Sequence, residues 1–351
     1  MAFRALAFLS AIIYAASYRI GYTILRRAGS SNSSGNSSPA RKDHDAKCGE
    51  SACLAALCKA GVSEEFAQLQ LSLLLEAELR GTTSHGLLRL PRVVERIVSG
   101  ATDPASTGKG TWRGAALLEV EGEHGLGPIV AKFALDQVTQ RATTCGVAVA
   151  AIRNCDHLGM LAWYAEQVAK KGQILIALTI SEALVHPWGG RQAMLGTNPI
   201  AIGVPSEPEP FVLDMATSLV SMGKIHDHAN RGMPIPIEWA LDANGNPTTN
   251  ASAAKDGSIA PFGGAKGYAL GLAFELLVTA LTASATGRDV KGTLDPVHPC
   301  NKGDVFIVLE PAHAVGPVIH ERNPQLPAGR PFVAGPSSRR PCVAHPRKSA
   351  G

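Results

Sequence analysis

Residues 147–164, VAVAAIRNCDHLGMLAWY, place a polar stretch between a predicted strand and a predicted helix. The first half is a short run of Val, Ala and Ile, which is typical of a buried strand, and the helix begins near Met160. Between them lies His157, whose side-chain type is half-titrated near neutral pH when nothing perturbs it. The junction of a strand with a helix is a common place for chemistry in α/β proteins. Two interpretations stay open here: His157 takes part in a reaction, or it only satisfies the turn.

The rest of the chain alternates apolar runs with helical patterns over residues 43–310, which predicts a mixed α/β fold. Ser63 is predicted to cap a helix that ends near Leu79, and a second helix is predicted from Leu87 with Pro91 in its first turn. Thr217 is predicted to cap a third helix. Strands are predicted at 117–121, 147–152, 174–180, 201–205, 211–216 and 305–310, and the remaining helices at 125–145, 160–171, 217–230 and 268–283.

Two terminal segments differ from this body in composition. Residues 1–42 contain an apolar stretch, 5–25, and then a flexible linker rich in Ser, Gly and Asn. A signal peptide, a membrane anchor, an organelle-targeting segment and an extension outside the working protein all fit this stretch. Residues 311–351 carry eight prolines without periodicity, which predicts disorder.

The charge distribution argues against a nucleic-acid partner. The formal net charge is +4, but the body 43–310 holds 21 Lys and Arg against 28 Asp and Glu. A protein that binds nucleic acid needs a basic face on the folded domain itself. The seven cysteines do not form a disulfide framework by spacing, so we expect reduced thiols and a cytoplasmic location.

Several familiar site motifs are missing from the sequence. No GxGxxG, GxxxxGK[ST] or GxSxG string is present. His226 and His228 lie two positions apart on a predicted helix, where side chains diverge, so we predict no metal site. Residues 263–267, GGAKG, place Lys266 at a helix start among flexible backbone N–H groups. That arrangement suits a phosphate, although an ordinary glycine turn with a surface lysine explains it equally well.

A second polar cluster lies at residues 84–96. His85 and Arg89 are four positions apart and could face one pocket, where an arginine binds a carboxylate through two parallel hydrogen bonds. The alternative is a helix cap followed by a surface arginine. Arg92 and Arg96 continue the same spacing, and we interpret them as a solvated basic stripe on the helix.

Taken together and in order, these blocks resemble the malate/L-lactate dehydrogenase family of NAD(P)-dependent 2-hydroxyacid oxidoreductases, which includes ureidoglycolate and sulfolactate dehydrogenases. The resemblance covers about 43–310 and is carried by SHGLLRLPR, NCDHLGMLAWYAE, PWGGRQAMLGTNPIAIGVP, FVLDMATS, WALDANGNPTT and GGAKGYALGL.

The resemblance implies a family-specific fold without the Rossmann arrangement, with a largely parallel-to-mixed central sheet flanked by helices. It also implies a homodimer, NAD or NADP as cofactor, and a small 2-hydroxy or 2-oxo acid as substrate. By position, His157 resembles the acid/base that exchanges a proton with the substrate hydroxyl. Substrate contacts are implied for His85, Arg89 and Ser181, and cofactor contacts for Leu161, Asp214, Met215, Ala216 and Lys266.

The chain departs from the family pattern at three places. Val93 occupies a position where the family usually has tyrosine, and neither the apolar segment 5–25 nor the tail 311–351 resembles the family. These departures leave a second hypothesis, an impaired homologue that binds cofactor and dimerises without turnover. The segment 5–25 would tether either form to a membrane if it acts as an anchor.

Overall fold

The computed structural model describes the backbone of residues 39–292, 294–313 and 332–333, and the side chains of residues 49–292 and 294–313. The apolar segment 5–25 and most of the tail 311–351 lie outside the described residues, so the predictions made for them are not tested here. Within the tail, Pro311–His313 form a short 3-10 turn and Phe332–Val333 a two-residue strand.

The described helices follow the predicted order closely. Their bounds are α1 Pro39–Lys59, α2 Glu64–Leu79, α3 Leu90–Ser99, α4 Gly127–Cys145, α5 Leu161–Lys170, α6 Met222–Asn230, α7 Ala251–Ala254 and α8 Ala265–Thr282. Ser63 caps α2 as predicted, since its side chain accepts the backbone N–H of Phe66. Two short 3-10 turns, Thr83–His85 and Leu87–Arg89, precede α3.

The described strands are β1 Lys109–Trp112, β2 Leu117–Glu121, β3 Val147–Arg153, β4 Ile174–Thr179, β5 Ile200–Val204, β6 Phe211–Met215, β7 Ala240–Leu241, β8 Ser258–Ile259, β9 Gly303–Leu309 and β10 Phe332–Val333. The main sheet has the order β1-β2-β3-β9-β4-β5-β6-β10, and β7 pairs with β8 separately. Among the described strands of the main sheet, only two pairs are parallel, namely β2 with β3 and β6 with β10. The mixed α/β class is therefore confirmed, but antiparallel pairing dominates the sheet, contrary to the expectation.

Helices cover both faces of this sheet because successive strand side chains point to opposite sides. Phe306 and Val308 of β9 join a core with α4 and α5, whereas Val305 of the same strand packs against Val278 of α8 on the other face. Helices α1 to α3 form a neighbouring core, and a smaller cluster surrounds the β7–β8 pair.

The predicted cap of the third helix was wrong. Helix α6 begins at Met222 and Ser221 caps it by accepting the backbone N–H of Lys224. Thr217 is buried instead, where its N–H and hydroxyl both donate to the Thr197 carbonyl at 2.8 and 2.9 Å. A tertiary hydrogen bond thus replaces the local cap that the sequence suggested.

Among the described residues, one helix is long and apolar enough to cross a membrane, judged by length and composition alone. This helix is α8. Its inner face packs on β9, β3 and β4. Glu275 on that face is buried and accepts a hydrogen bond of 2.7 Å from the Asn198 side chain. These contacts explain the apolar character of the inner face as that of a helix covering a sheet.

The central strand β9 allows a direct test of this packing. Phe306 is fully buried between α4, α5 and the sheet, whereas Phe211 on β6 is 43% exposed. We expect Phe306→Ala to lower the free energy of unfolding by about 3–5 kcal/mol, since it removes buried area and leaves a cavity. The matched change Phe211→Ala should cost under about 1 kcal/mol. Urea denaturation measures both, and equal losses would contradict this placement of the core.

Candidate functional site

Three strands place the polar loops of the site at one edge of the sheet. β9 lies between β3 and β4, and Asp304 is in register with both Ile152 and Thr179. Because β9 runs antiparallel to each neighbour, the carboxyl ends of β3 and β4 meet at the edge where β9 begins. The loop that carries His157 follows β3, and the residues from Ser181 onward follow β4.

Two glycines let the His157 loop fold tightly. Gly159 has φ +80°, and a Cβ there would lie 2.0 Å from the Leu73 side chain. A Cβ on Gly127, at the start of α4, would lie 2.1 Å from the His157 carbonyl oxygen. Helices α2 and α4 therefore approach the loop from both sides, and only glycine fits at the two contact points.

His157 and His85 form a stacked pair of rings. Their centroids are 5.2 Å apart and their planes differ by 28°. The backbone N–H of Gly159 donates to Nδ1 of His157 at 3.1 Å, so that atom carries no proton. The neutral ring then holds its proton on Nε2. The Ser84 hydroxyl lies 3.0 Å from Nδ1 of His85.

Both histidines are held in the neutral form. Burial lowers the pKa of His157 well below its ordinary value, and the positive charge of Arg89 lowers it further. Burial and then Arg89 likewise lower the pKa of His85 to about 3. Neither histidine therefore titrates near neutral pH as a free histidine does. The charged form of each ring would be removed from water and would lie near the cation of Arg89.

Arg89 joins this pair from the 3-10 turn that precedes α3. Its Nε donates to the Ser84 carbonyl at 2.8 Å, which fixes the guanidinium beside His85. Burial lowers the pKa of Arg89, while the carboxylates of Glu182 and then Asp156 oppose that shift. The structure thus places His157, His85 and Arg89 near one another, as the family resemblance implied.

Arg96 is not part of a solvated stripe, contrary to the prediction. Its side chain is 1% exposed, and its Nε donates to Asp156 at 2.9 Å. Asp156 also accepts the Thr102 hydroxyl and, at 2.6 Å, the backbone N–H of His157. The stripe interpretation holds better for Arg92, which is partly exposed and lies 3.5 Å from Glu95.

Sequence reasoning missed Asp156 and Arg96 as contributors to the site. Asp156 directly precedes His157, and that adjacency was the available signal. The sequence contains no such signal for Arg96, because helical spacing alone does not show which face of α3 contacts another element. A second buried ion pair lies close by, where Lys302 contacts both carboxylate oxygens of Asp304 at 2.6 Å.

A small cavity opens beside this group. Its wall is formed by α2, the turn before α3, α3, the start of α4 and the loop after β3. The lining residues are Gln70, Leu73, Leu74, Arg89, Arg92, Val93, Arg96, Leu126, Gly127, Asp156, His157 and Gly159. Val93, which stands where the family usually has tyrosine, contributes an aliphatic side chain to this wall.

Ser181 lies at the end of β4, on the same edge of the sheet. Its hydroxyl accepts the backbone N–H of Thr197 at 3.1 Å, so it braces the loop before β5. A role for Ser181 in substrate binding stays a prediction.

The predicted cofactor residues fall into two places. Asp214 accepts the backbone N–H groups of Leu161 and Ala162 and so holds the N-terminus of α5. Burial raises the pKa of this carboxyl to about 6. Met215 and Ala216 follow it, half-buried, at the end of β6. Their contacts to a cofactor stay predictions.

Lys266 is exposed in the first turn of α8. Gly264 is the N-cap of this helix and offers no side-chain hydrogen bond, and Gly263 and Gly264 both have positive φ. The first N–H groups of a helix lack acceptors within it. A lysine ammonium beside such groups fits the phosphates of NAD or NADP. In the described ranges no group of three or more His, Cys, Asp or Glu side chains could hold a metal ion.

The Arg96–Asp156 pair makes a clear prediction for stability. Arg96→Leu leaves the Asp156 carboxylate buried without its cation, so we expect a loss of about 3–5 kcal/mol in the free energy of unfolding. Arg92→Leu, one turn away on α3, removes only a partly exposed pair and should cost under about 1 kcal/mol. Thermal and urea unfolding of both variants test this, and similar losses would contradict it.

The lowered histidine pKa values predict a loss of stability in acid. The unfolded chain binds a proton near pH 6.5, whereas folded His85 binds it only near pH 3. The stabilisation is complete above about pH 6.5 and is lost as the pH falls below that value. Between pH 7 and pH 5, we expect the wild type to lose about 1–2 kcal/mol more than His85→Gln. Parallel pH dependences of unfolding for the two proteins would refute this.

Comparison with known proteins places this site in context. The family described as malate/L-lactate dehydrogenase matches residues 46–323. An L-sulfolactate dehydrogenase of Methanocaldococcus jannaschii is 38% identical over 260 residues, covering 74% of this chain and 75% of that protein. A ureidoglycolate dehydrogenase (NAD(+)) of Escherichia coli K12 is 34% identical and covers 73% of each chain.

Solved structures agree with this assignment. A dehydrogenase from Sinorhizobium meliloti is 52% identical, with a TM-score of 0.78 over 81% of this chain and 84% of that chain. The sulfolactate dehydrogenase from Methanocaldococcus jannaschii has a TM-score of 0.72 at 37% identity, over 78% and 79% of the two chains. The family model and these relatives therefore show that the chain belongs to the malate/L-lactate dehydrogenase family.

Proposed function

We propose that this protein is an oxidoreductase that transfers a hydride between NAD or NADP and a small 2-hydroxy or 2-oxo acid. The observation that carries the proposal is the meeting of His157, His85 and Arg89 at one edge of the sheet, with the two rings stacked at 5.2 Å. Family membership adds the class of reaction.

Arg89 is the group that binds the substrate carboxylate. Its Nε donates to the Ser84 carbonyl, which leaves the two terminal nitrogens to bind the carboxylate. Fixing the carboxylate orients the neighbouring C2 atom, and such positioning accounts for a large share of the rate in reactions of this kind.

His157 exchanges the proton of the substrate oxygen. Nε2 is the ring atom left to contact the substrate oxygen, because the Gly159 N–H occupies Nδ1 before the substrate binds. To accept the hydroxyl proton at Nε2, the ring must first carry its own proton on Nδ1, which breaks the hydrogen bond from Gly159. In the reverse direction the doubly protonated ring donates its Nε2 proton to the substrate oxygen and keeps the proton on Nδ1. The ring is neutral before the substrate arrives, since burial and Arg89 lower its pKa. A bound carboxylate brings negative charge next to the ring, which raises the histidine pKa towards the range that an acid/base catalyst needs.

NAD or NADP supplies or accepts the hydride when bound, and the chain supplies binding and orientation. Lys266 at the start of α8 is the residue proposed to contact the cofactor phosphates. Relatives include a ureidoglycolate dehydrogenase (NAD(+)) and a (2R)-3-sulfolactate dehydrogenase (NADP(+)), which support either cofactor.

The substrate belongs to the range that relatives use. Their names include sulfolactate, malate and ureidoglycolate, and lactate remains in the range through the family description. The alternative of an impaired homologue has no support among the described residues, because the histidine pair and Arg89 are assembled and Val93 only widens an aliphatic wall.

We also propose that the protein is a homodimer. The outer face of α8 exposes a run of apolar side chains, with Leu270 38%, Leu277 43% and Leu276 57% exposed. A contiguous apolar patch of this kind is typical of an interaction surface. A second copy of the chain is the partner that the family resemblance favours.

The location of the protein is likewise a proposal. The reduced cysteines favour the cytoplasm, since the five described cysteines are free. The segment 5–25 would add a membrane tether or a targeting signal to the same body.

The function predicts the effect of removing the acid/base. We expect His157→Ala to lower kcat by about 100-fold or more, because the substrate oxygen then lacks its proton partner. Binding of NADH or NADPH should stay within about threefold of the wild type. The measurement is absorbance of the nicotinamide during reaction with a panel of 2-oxo acids, together with cofactor fluorescence for binding.

His313→Ala is the matched control. His313 is exposed and lies against Thr143 near the start of β3, at the opposite edge of the sheet from His157. Its loss should leave kcat unchanged. Full turnover by His157→Ala would remove that residue from the mechanism, and wild-type protein that oxidises no member of the panel would refute the proposed function.

A further inference from the structure

Most of the described charged groups around the site form ion pairs, but Arg89 and Glu182 do not. Arg96 pairs with Asp156, Arg92 with Glu95 and Lys302 with Asp304. Arg89 makes no ion pair within the described residues. Glu182 is half-buried, and its carboxylate makes no hydrogen bond or ion pair to any residue that the structure describes. One cation and one anion therefore remain for a ligand.

The topology places Glu182 at the substrate edge of the sheet. It follows Ser181 at the carboxyl end of β4, and His157 follows β3 at the same edge, with only the start of β9 between them. Ile180 is tied to that start, since its N–H donates to the Gly303 carbonyl at 3.2 Å.

Glu182 is also held in place by the loop before β9. A Cβ on Gly292 would lie 1.4 Å from one carboxylate oxygen of Glu182 and 3.0 Å from its Cβ. The Glu182 side chain therefore packs against Gly292, and this contact prevents it from rotating further towards the loop before β9.

Electrostatics agree with this placement. Glu182 is the carboxylate with the largest effect on the pKa of Arg89, and it also raises the pKa of the buried thiol of Cys300 beside Arg96. Glu182, which follows β4, therefore lies within electrostatic reach of Arg89 in the turn before α3.

We propose that Glu182 is a specificity-determining residue of the substrate site. With Arg89 binding one carboxylate, Glu182 selects a substrate whose C2 substituent carries an N–H donor or a positive charge, such as a ureido, amino or cyclic imine group. A second anionic group there, as in malate or sulfolactate, meets a like charge. The inference rests on the proposed function for the identity of the Arg89 ligand.

The size of the effect follows from Coulomb's law. Two like charges about 6 Å apart at an effective dielectric constant of about 20 change binding by roughly tenfold to a hundredfold. An N–H donor facing the same carboxylate forms a charge-assisted hydrogen bond instead. The preference between the two ligand classes should therefore be large enough to measure by titration.

Two inert analogues of the same shape test this preference. Oxamate has one carboxylate and an amide N–H₂, whereas oxalate has a second carboxylate in its place. Calorimetric titration of the full chain, saturated with NADH or NADPH, should show oxamate bound at least tenfold more tightly than oxalate. In Glu182→Gln, this ratio should fall about tenfold, chiefly because oxalate binds more tightly.

Glu209→Gln is the matched control, because it removes an exposed carboxylate on the turn between β5 and β6, at the opposite edge of the sheet. It should keep the wild-type ratio. Should Glu182→Gln unfold, Glu182→Thr removes the same charge with a smaller side chain. A wild-type protein that binds oxalate as tightly as oxamate, or a ratio unchanged in the folded Glu182 variants, would overturn the inference.

The proposed function and this inference fail in different ways. Absence of NADH and NADPH oxidation with every 2-oxo acid refutes the function, yet the oxamate preference and its loss in Glu182→Gln would still establish selection by charge. Turnover of dianionic and N–H-bearing substrates with equal kcat/KM would keep the function and refute the role of Glu182.

Discussion

The buried ion pair between Arg96 and Asp156 fixes the loop that carries His157 to the rest of the protein. Two charges removed from water are stable only when they are closely paired and hydrogen-bonded, and here the side chains are 1% and 8% exposed. Asp156 accepts the N–H of His157, and Arg96 donates to the backbone carbonyls of Asp295 and His298. Helix α3, the loop after β3 and the loop before β9 therefore share one interaction, and the position of His157 depends on it.

This pairing also decides which charge the substrate meets. If Arg96 and Lys302 lacked Asp156 and Asp304, three cations would surround His157 and its ring would rarely accept a proton. Pairing leaves Arg89 as the cation available to a carboxylate. Burial is the largest cause of the low pKa of His157 and the positive charge of Arg89 is the second, so an anion that binds Arg89 would offset the second cause.

Much of the fold could be predicted because its signals are local. The apolar runs place β2, β3 and β4 within a residue of their observed ends, and the Ser63 cap marks the start of α2. The edge strand β1 escaped prediction because KGTW is polar and mostly exposed. Arg96 was misjudged since the neighbours of a helix face lie far away in sequence. The order of motifs predicted the meeting of His157 with Arg89, whereas the unpaired Glu182 required the sheet topology.

Asp214 holds the other end of the loop that carries His157. The N–H of Gly159 holds the His157 ring, and two and three residues later the N–H groups of Leu161 and Ala162 are held by the Asp214 carboxylate. A carboxylate at a helix N-terminus stabilises that end of the helix. His157 is thus fixed before the ring by Asp156 and after it by Asp214, which comes from β6. Strand β6, which the family resemblance implies in cofactor binding, therefore also helps to hold the loop that carries His157.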